Sequence, residues 1–211
     1  MNASKILSEI LGLDSKIMKL QDDFDLQPEA DKQKALVALA DDLMSKTDAH
    51  DDVPLPMIRV AEMICTLENG PTLLAKGLSH ENEEVRHLFG EAIISLGTED
   101  GVESIIPAID YALKEKGNAA LEMPFILAWI DDPAVTSHIH KFLTLEETDI
   151  VYAAIEACAS VADPDSIEPL KALIDDNREV AVEDDDEDDS PVTIGMLAKE
   201  AIDIVQESDE D

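Results

Sequence analysis

The residues with most chemical potential lie in EEVRHLFGEAIISLG, Glu83 to Gly97, where His87 sits among Glu83, Glu84 and Glu91 on an apolar stripe. Imidazole and carboxylate together bind transition metals and carry general acid–base catalysis. Either task needs several such groups converging, and the rest of the chain offers few. His138 and His140 are two positions apart, so on a helix they diverge by about 200°, whereas a chelating pair favours i, i+4. His80–Glu81 falls at a turn. No nucleophile elbow, phosphate-binding glycine loop or zinc-type cysteine spacing is present. The acidic run 183–189 fails as a calcium loop: counted from Asp184, Asp189 takes the glycine position and Gly195 the terminal glutamate position. Cys65 and Cys158 each lie inside an apolar helical pattern, which implies buried free thiols. The residues point to no catalytic group, no cofactor and no metal.

The elements that position these residues are helices. Val85, Leu88, Phe89, Ala92, Ile93 and Leu96 follow the i, i+3, i+4, i+7 spacing of an amphipathic helix. The same anchor recurs as Glu62-Met63-Ile64, Glu91-Ala92-Ile93, Glu156-Ala157-Cys158 and Glu200-Ala201-Ile202, at intervals of 29, 65 and 44 residues. The longest interval holds two units of about 32 residues. Its middle unit is MPFILAWIDDPAVTSHIHKFL, with Asp132-Pro133 matching Asp163-Pro164 at an interval of 31. The 44-residue interval is one unit plus an insertion, EVAVEDDDEDDS, residues 179–190. A second amphipathic pattern follows each first one: Val102, Ile105, Ile106, Ile109 and Leu113 in one unit, and Ile167, Leu170, Leu173 and Ile174 in another. Each unit is therefore helix–turn–helix. Ala92, Ile93, Ala157 and Cys158 are expected to be buried, with essentially no strand anywhere.

NEEVRHLFGEAIISLGTEDGVESIIPAI and ETDIVYAAIEACASVADPDSIEPLKALI resemble HEAT repeats, in particular the short HEAT-like type of phycobilisome-lyase proteins. Pro124 inside a first helix is similar to the proline that often kinks that helix in HEAT repeats. The resemblance implies an all-α, right-handed α-solenoid of stacked helix pairs over about residues 54 to 207. The organisation is an N-terminal helical cap or pair with linker at 1–53, repeats at 54–178, an acidic loop insertion at 179–190, and a capping helix with acidic tail at 191–211. One HEAT-repeat enzyme family, deoxyhypusine hydroxylase, holds iron through repeated His-Glu pairs. Here Leu88 follows His87, and the equivalent positions of later units are Tyr152 and Met196, so that resemblance implies an unfilled site.

The chain has 15 basic and 49 acidic residues among 211, a formal net charge of −34, and 3% aromatics. That charge disfavours nucleic acid, whose phosphates demand clustered Lys and Arg, and anionic membrane surfaces. HEAT-type DNA glycosylases, which need a basic groove, are excluded on the same ground. The start shows no apolar signal region and no long apolar run, and the expected compartment is the cytoplasm. The expected function is that of a non-catalytic scaffold or adaptor binding a basic protein. In HEAT repeats the second helices usually line the concave face, which makes Glu103, Asp110, Tyr111 and Lys114, then His140 and Lys141, then Glu168, Lys171 and Asp175 the partner-binding candidates. The acidic run Glu183, Asp184, Asp185, Asp186, Glu187, Asp188 and Asp189 joins them as an electrostatic arm. Two alternatives stand beside this reading: a phycobilin-lyase-like enzyme or subunit, and a nucleic-acid mimic that occupies a DNA-binding protein.

Overall fold

Short polar residues and prolines set the helix boundaries. Pro56, Pro71 and Pro107 fall in first turns, where a missing N–H costs nothing. Asn82 caps the helix that follows it, its side chain accepting from the Val85 N–H at 3.1 Å. Asp163 caps its turn through the Asp165 N–H. The computed structural model describes residue 16, residues 18–180 and residues 192–208.

Residues 18–25 are helical. Then come α1 (Glu29–Met44), α2 (Leu55–Ile64), α3 (Gly70–Gly77) and α4 (Glu83–Asp100). A 3-10 turn, Val102–Ile105, leads into α5 (Ile106–Glu115), followed by α6 (Gly117–Ala128), α7 (Val135–Phe142) and α8 (Thr148–Val161). A second 3-10 turn, Pro164–Ser166, leads into α9 (Ile167–Lys171), and α10 spans Ile194–Ser208. The pairs α2/α3, α4/α5, α6/α7 and α8/α9 form an all-α, HEAT-like helical repeat. First helices pack in series, α2 on α4, α4 on α6, α6 on α8 and α8 on α10, and the second helices α3, α5 and α7 form the other layer. Pro124 lies inside α6, the first helix of its unit.

One aliphatic core runs between the layers, from Leu36 of α1 to Ile202 of α10. Small residues let the layers close: a Cβ on Gly77 would collide with the ring of Phe89, so α3 seats directly on α4. Ile93, Ala157 and Cys158 are buried. Ala92 is only half-buried, because it borders an open groove between α2 and α4. The N-terminal α1 packs on α2 through Leu36 and Ala40.

Two local features add to this architecture. A strand pair does form: β1 (Glu179–Val180) and β2 (Val192–Thr193) are antiparallel, with Glu179 opposite Thr193. The two ends of the insertion thereby satisfy each other's backbone groups, and residues 181–191, including the acidic run, lie outside the described residues. The second feature is at the joint between α5 and α6, where Lys116 takes φ 62° and Gly117 φ 58°. The Lys116 ammonium holds the next unit at Glu147, 2.6 Å away, and this hydrogen bond keeps the Glu147 carboxyl below its ordinary pKa.

Candidate functional site

The helix that carries His87 lines an open cleft on the first-helix side of the repeat. Along α4, His87, Glu91 and Ile94 recur at helical spacing on one face; along α6, Glu122, Phe125 and Trp129 do the same. Side by side, the two faces leave a cleft of about 560 Å³. Its floor is low because α4 places Gly90 against Ile126, where even a Cβ would stand 3.3 Å from Ile126 Cδ1. Phe125, 40% exposed, and Trp129, 78% exposed, form the wall on the α6 side. With aromatics at 3% of the chain, two large rings left in water beside one cleft are costly unless something covers them.

The head of the cleft is tied shut. Arg86 donates from Nε to Glu122 Oε1 at 2.8 Å and from Nη1 to the carbonyl oxygens of His80 and Glu81. Its guanidinium is therefore spent on joining α4 to α6. Glu91 stands at the lip with His87, whose Nε2 is 3.3 Å from Glu91 Oε1, and both side chains are well exposed. Glu91 and Ser95 also border the neighbouring groove between α2 and α4, beside Cys65 and Leu88. There burial pushes the Cys65 thiol pKa up, with the carboxylates of Glu99 and Glu62 adding to the effect.

The second-helix side is different in character. Glu103, Asp110, Lys114, Lys141, Glu168, Lys171 and Asp175 are exposed as expected of surface residues. Three of the four basic candidates are already engaged within this layer: Lys114 with Glu115 at 2.7 Å, Lys171 with Glu168 at 2.8 Å, and Lys141 with His138 Nδ1 at 3.1 Å. Glu103, Asp110 and Lys141 are brought together around His138, whose imidazole is buried and held below its ordinary pKa by that burial and by the Lys141 charge. Tyr111, expected to be exposed, is half-buried against the core. His140, expected at the surface, is half-buried with Nε2 3.0 Å from Ser166 Oγ, joining two units. Burial lowers its pKa as well.

Large apolar side chains divide unevenly between the layers. From α2 to α10, the markedly exposed ones among the described residues are Leu55 on α2, Phe125 on α6 with Trp129 at its C-terminal end, and Met196 and Ile204 on α10, all in the first-helix layer. The sequence reading placed its candidate contact residues on the other layer and did not single out Phe125 and Trp129. Their i, i+4 spacing at the wet edge of an otherwise buried helix was the available signal. Among the described residues, no group of three or more His, Cys, Asp or Glu side chains is placed to hold a metal ion. No described helix is long and apolar enough to cross a membrane.

Residues 150–176, which span most of α8 through α9, match the family described as PBS lyase HEAT-like repeat. A comparison of the chain with curated proteins finds no significant match.

Proposed function

We propose that this HEAT-like repeat protein is a non-catalytic adaptor that binds a basic protein partner, and that its docking face is the row of first helices. The observation that carries the reading is the placement of Leu55, Phe125, Trp129, Met196 and Ile204 in water on that one layer. Large apolar side chains left in water along one layer mark places that a partner can cover. The net charge of −34 supplies long-range attraction for a basic surface and repels polyanions. The acidic run 183–189 adds an arm for the same attraction.

Affinity capture from native lysate with the wild-type protein and with a Phe125→Ser/Trp129→Ser variant tests this. Identified partners should be enriched in basic proteins, should be lost from the variant, and should elute as salt is raised. Capture that is indifferent to both salt and the two rings defeats the reading. The match at residues 150–176 fits the lyase-like alternative too. Absorbance of the purified protein after incubation with an open-chain tetrapyrrole separates the two, since an adaptor gains no pigment.

A further inference from the structure

We infer that the α4/α6 cleft is the seat of a short amphipathic, lysine- or arginine-bearing helix of the partner, its apolar side buried on Gly90, Ile94, Phe125 and Trp129. This rests on the adaptor reading and names the segment that would dock. Three observations favour a peptide over a small molecule. The cleft lies open along one side, with Trp129 78% exposed, whereas small-molecule sites enclose about 70–90% of their ligand. Its walls are two helix faces whose residues recur every three to four positions, from 87 to 95 on α4 and from 122 to 129 on α6. Seven or eight positions is about 11 Å, or two turns, the length over which a helix lying in a groove offers i, i+4, i+7 anchors. Glu91 and Ser95 also border the groove between α2 and α4, so apolar surface flanks the cleft along α4.

Charge selects the sign of the partner. Arg86 is committed to Glu122 and two carbonyls, and Arg59 is paired with Glu62 at 3.1 Å. Glu91 faces only the imidazole of His87 among the described residues, and Glu99, which bonds Ser95, lies on the same side. A cation carried beside the apolar anchor therefore meets carboxylates at one lip and the face of Trp129 at the other, where an indole attracts ammonium and guanidinium groups.

Trp129 is the one tryptophan in the chain, so intrinsic emission reports this site directly. The full-length protein is titrated with a helical peptide of about 14 residues, roughly four turns, patterned in Leu and Lys. The same pattern in Leu and Glu, an oligolysine and free naphthalene serve as comparisons. The Leu/Lys peptide should shift Trp129 emission to the blue and shield it from acrylamide, saturating at one peptide per chain. Oligolysine and the Leu/Glu peptide should leave it unchanged. Ile94→Lys should weaken the binding about tenfold or more, the cost of a charge facing an apolar anchor. Glu91→Lys should weaken it at low salt and matter less at high salt. Peptide binding seen by calorimetry with Trp129 undisturbed overturns the cleft and leaves the adaptor reading standing. An equal response to the Leu/Glu peptide, or a response to naphthalene with none to peptide, overturns it as well. Loss of the basic bias in lysate capture is instead the failure of the adaptor reading.

Discussion

The Asn82 side-chain amide donates to the backbone carbonyl oxygen of Asp48 at 2.7 Å, across the joint between the N-terminal helices and the repeats. The same amide reaches the Asp51 carbonyl at 2.9 Å, while its oxygen caps α4 at the Val85 N–H. His80 extends the tie: its Nδ1 accepts from the Asn82 N–H, which leaves Nε2–H to donate to the Met44 carbonyl 3.0 Å away. Asn82 is 1% exposed, so no water replaces it. Asn82→Ala should remove a helix cap and strand two carbonyls, costing about 2–4 kcal/mol. Thermal melts should show the loss, and hydrogen exchange should rise first over residues 29–53. Unchanged protection there would mean that α1 docks without this side chain.

Thr136 makes a comparable joint between α7 and the turn before α9, donating from Oγ1 to Asp163 Oδ2 at 2.6 Å. That bond, followed by the Asp165 N–H, holds the Asp163 carboxyl below the usual aspartate range. A depressed folded-state pKa stabilises the fold above the unfolded value, about 3.9, and the gain disappears as pH falls through the lower folded value. Thr136→Val should therefore cost about 1–2 kcal/mol near neutral pH. The gap to wild type should narrow in acid. Urea denaturation at neutral pH and at several points below pH 4 checks this, and a gap of constant size would detach Asp163 from the effect.

The helix-pair repeat was legible because aliphatic periodicity and the Glu-Ala-Ile anchor both report the side of a helix that must be dry. Ile93, Ala157 and Cys158 follow that logic and are buried. Ala92 escapes it because the series of first helices does not close completely, and the gap between α2 and α4 reaches it. The same reasoning could not find the cleft. His87 and Glu91 drew notice as chemistry, yet what surrounds them is set by α6, a neighbour whose facing residues lie more than thirty positions away. His140 and Tyr111 were misjudged for a related reason: polarity suggested water, but inter-unit packing took part of each.

Cys65 and Cys158 provide a test of the layer packing. Cys158 is 1% exposed and burial pushes its thiol up to about 11, whereas Cys65 is half-buried at the edge of the α2/α4 groove. Since the thiolate is the nucleophile, a maleimide near pH 7.5 should add once, at Cys65, and add to Cys158 only after denaturant is present. Intact mass before and after unfolding counts the adducts. Rapid double labelling of the folded protein would show that α8 opens far more readily than its packing implies.

The described residues on either side of the acidic run form a pinned frame. Val180 pairs with Val192 in the short strand pair, and the N–H groups of Ile194 and Gly195 donate to the carbonyls of Arg178 and Asp176. Arg178 holds that frame, bonding the Asp176 carboxylate, which it keeps below its ordinary pKa, and the Glu146 carbonyl at 2.7 Å. Replacing residues 183–189 by Gly/Ser should therefore leave the melting temperature unchanged or slightly higher, as mutually repelling like charges are removed. Arg178→Ala should lower it, by about 1–3 kcal/mol of stability, because the Asp176 carboxylate loses the guanidinium and the Leu145 and Glu146 carbonyls lose their donor. If the acidic run steers a basic partner, the Gly/Ser protein should associate more slowly at low salt, and the two rates should converge as salt is added. Stopped-flow mixing with an identified partner measures both rates. Equal association at every salt concentration would confine binding to the helical faces.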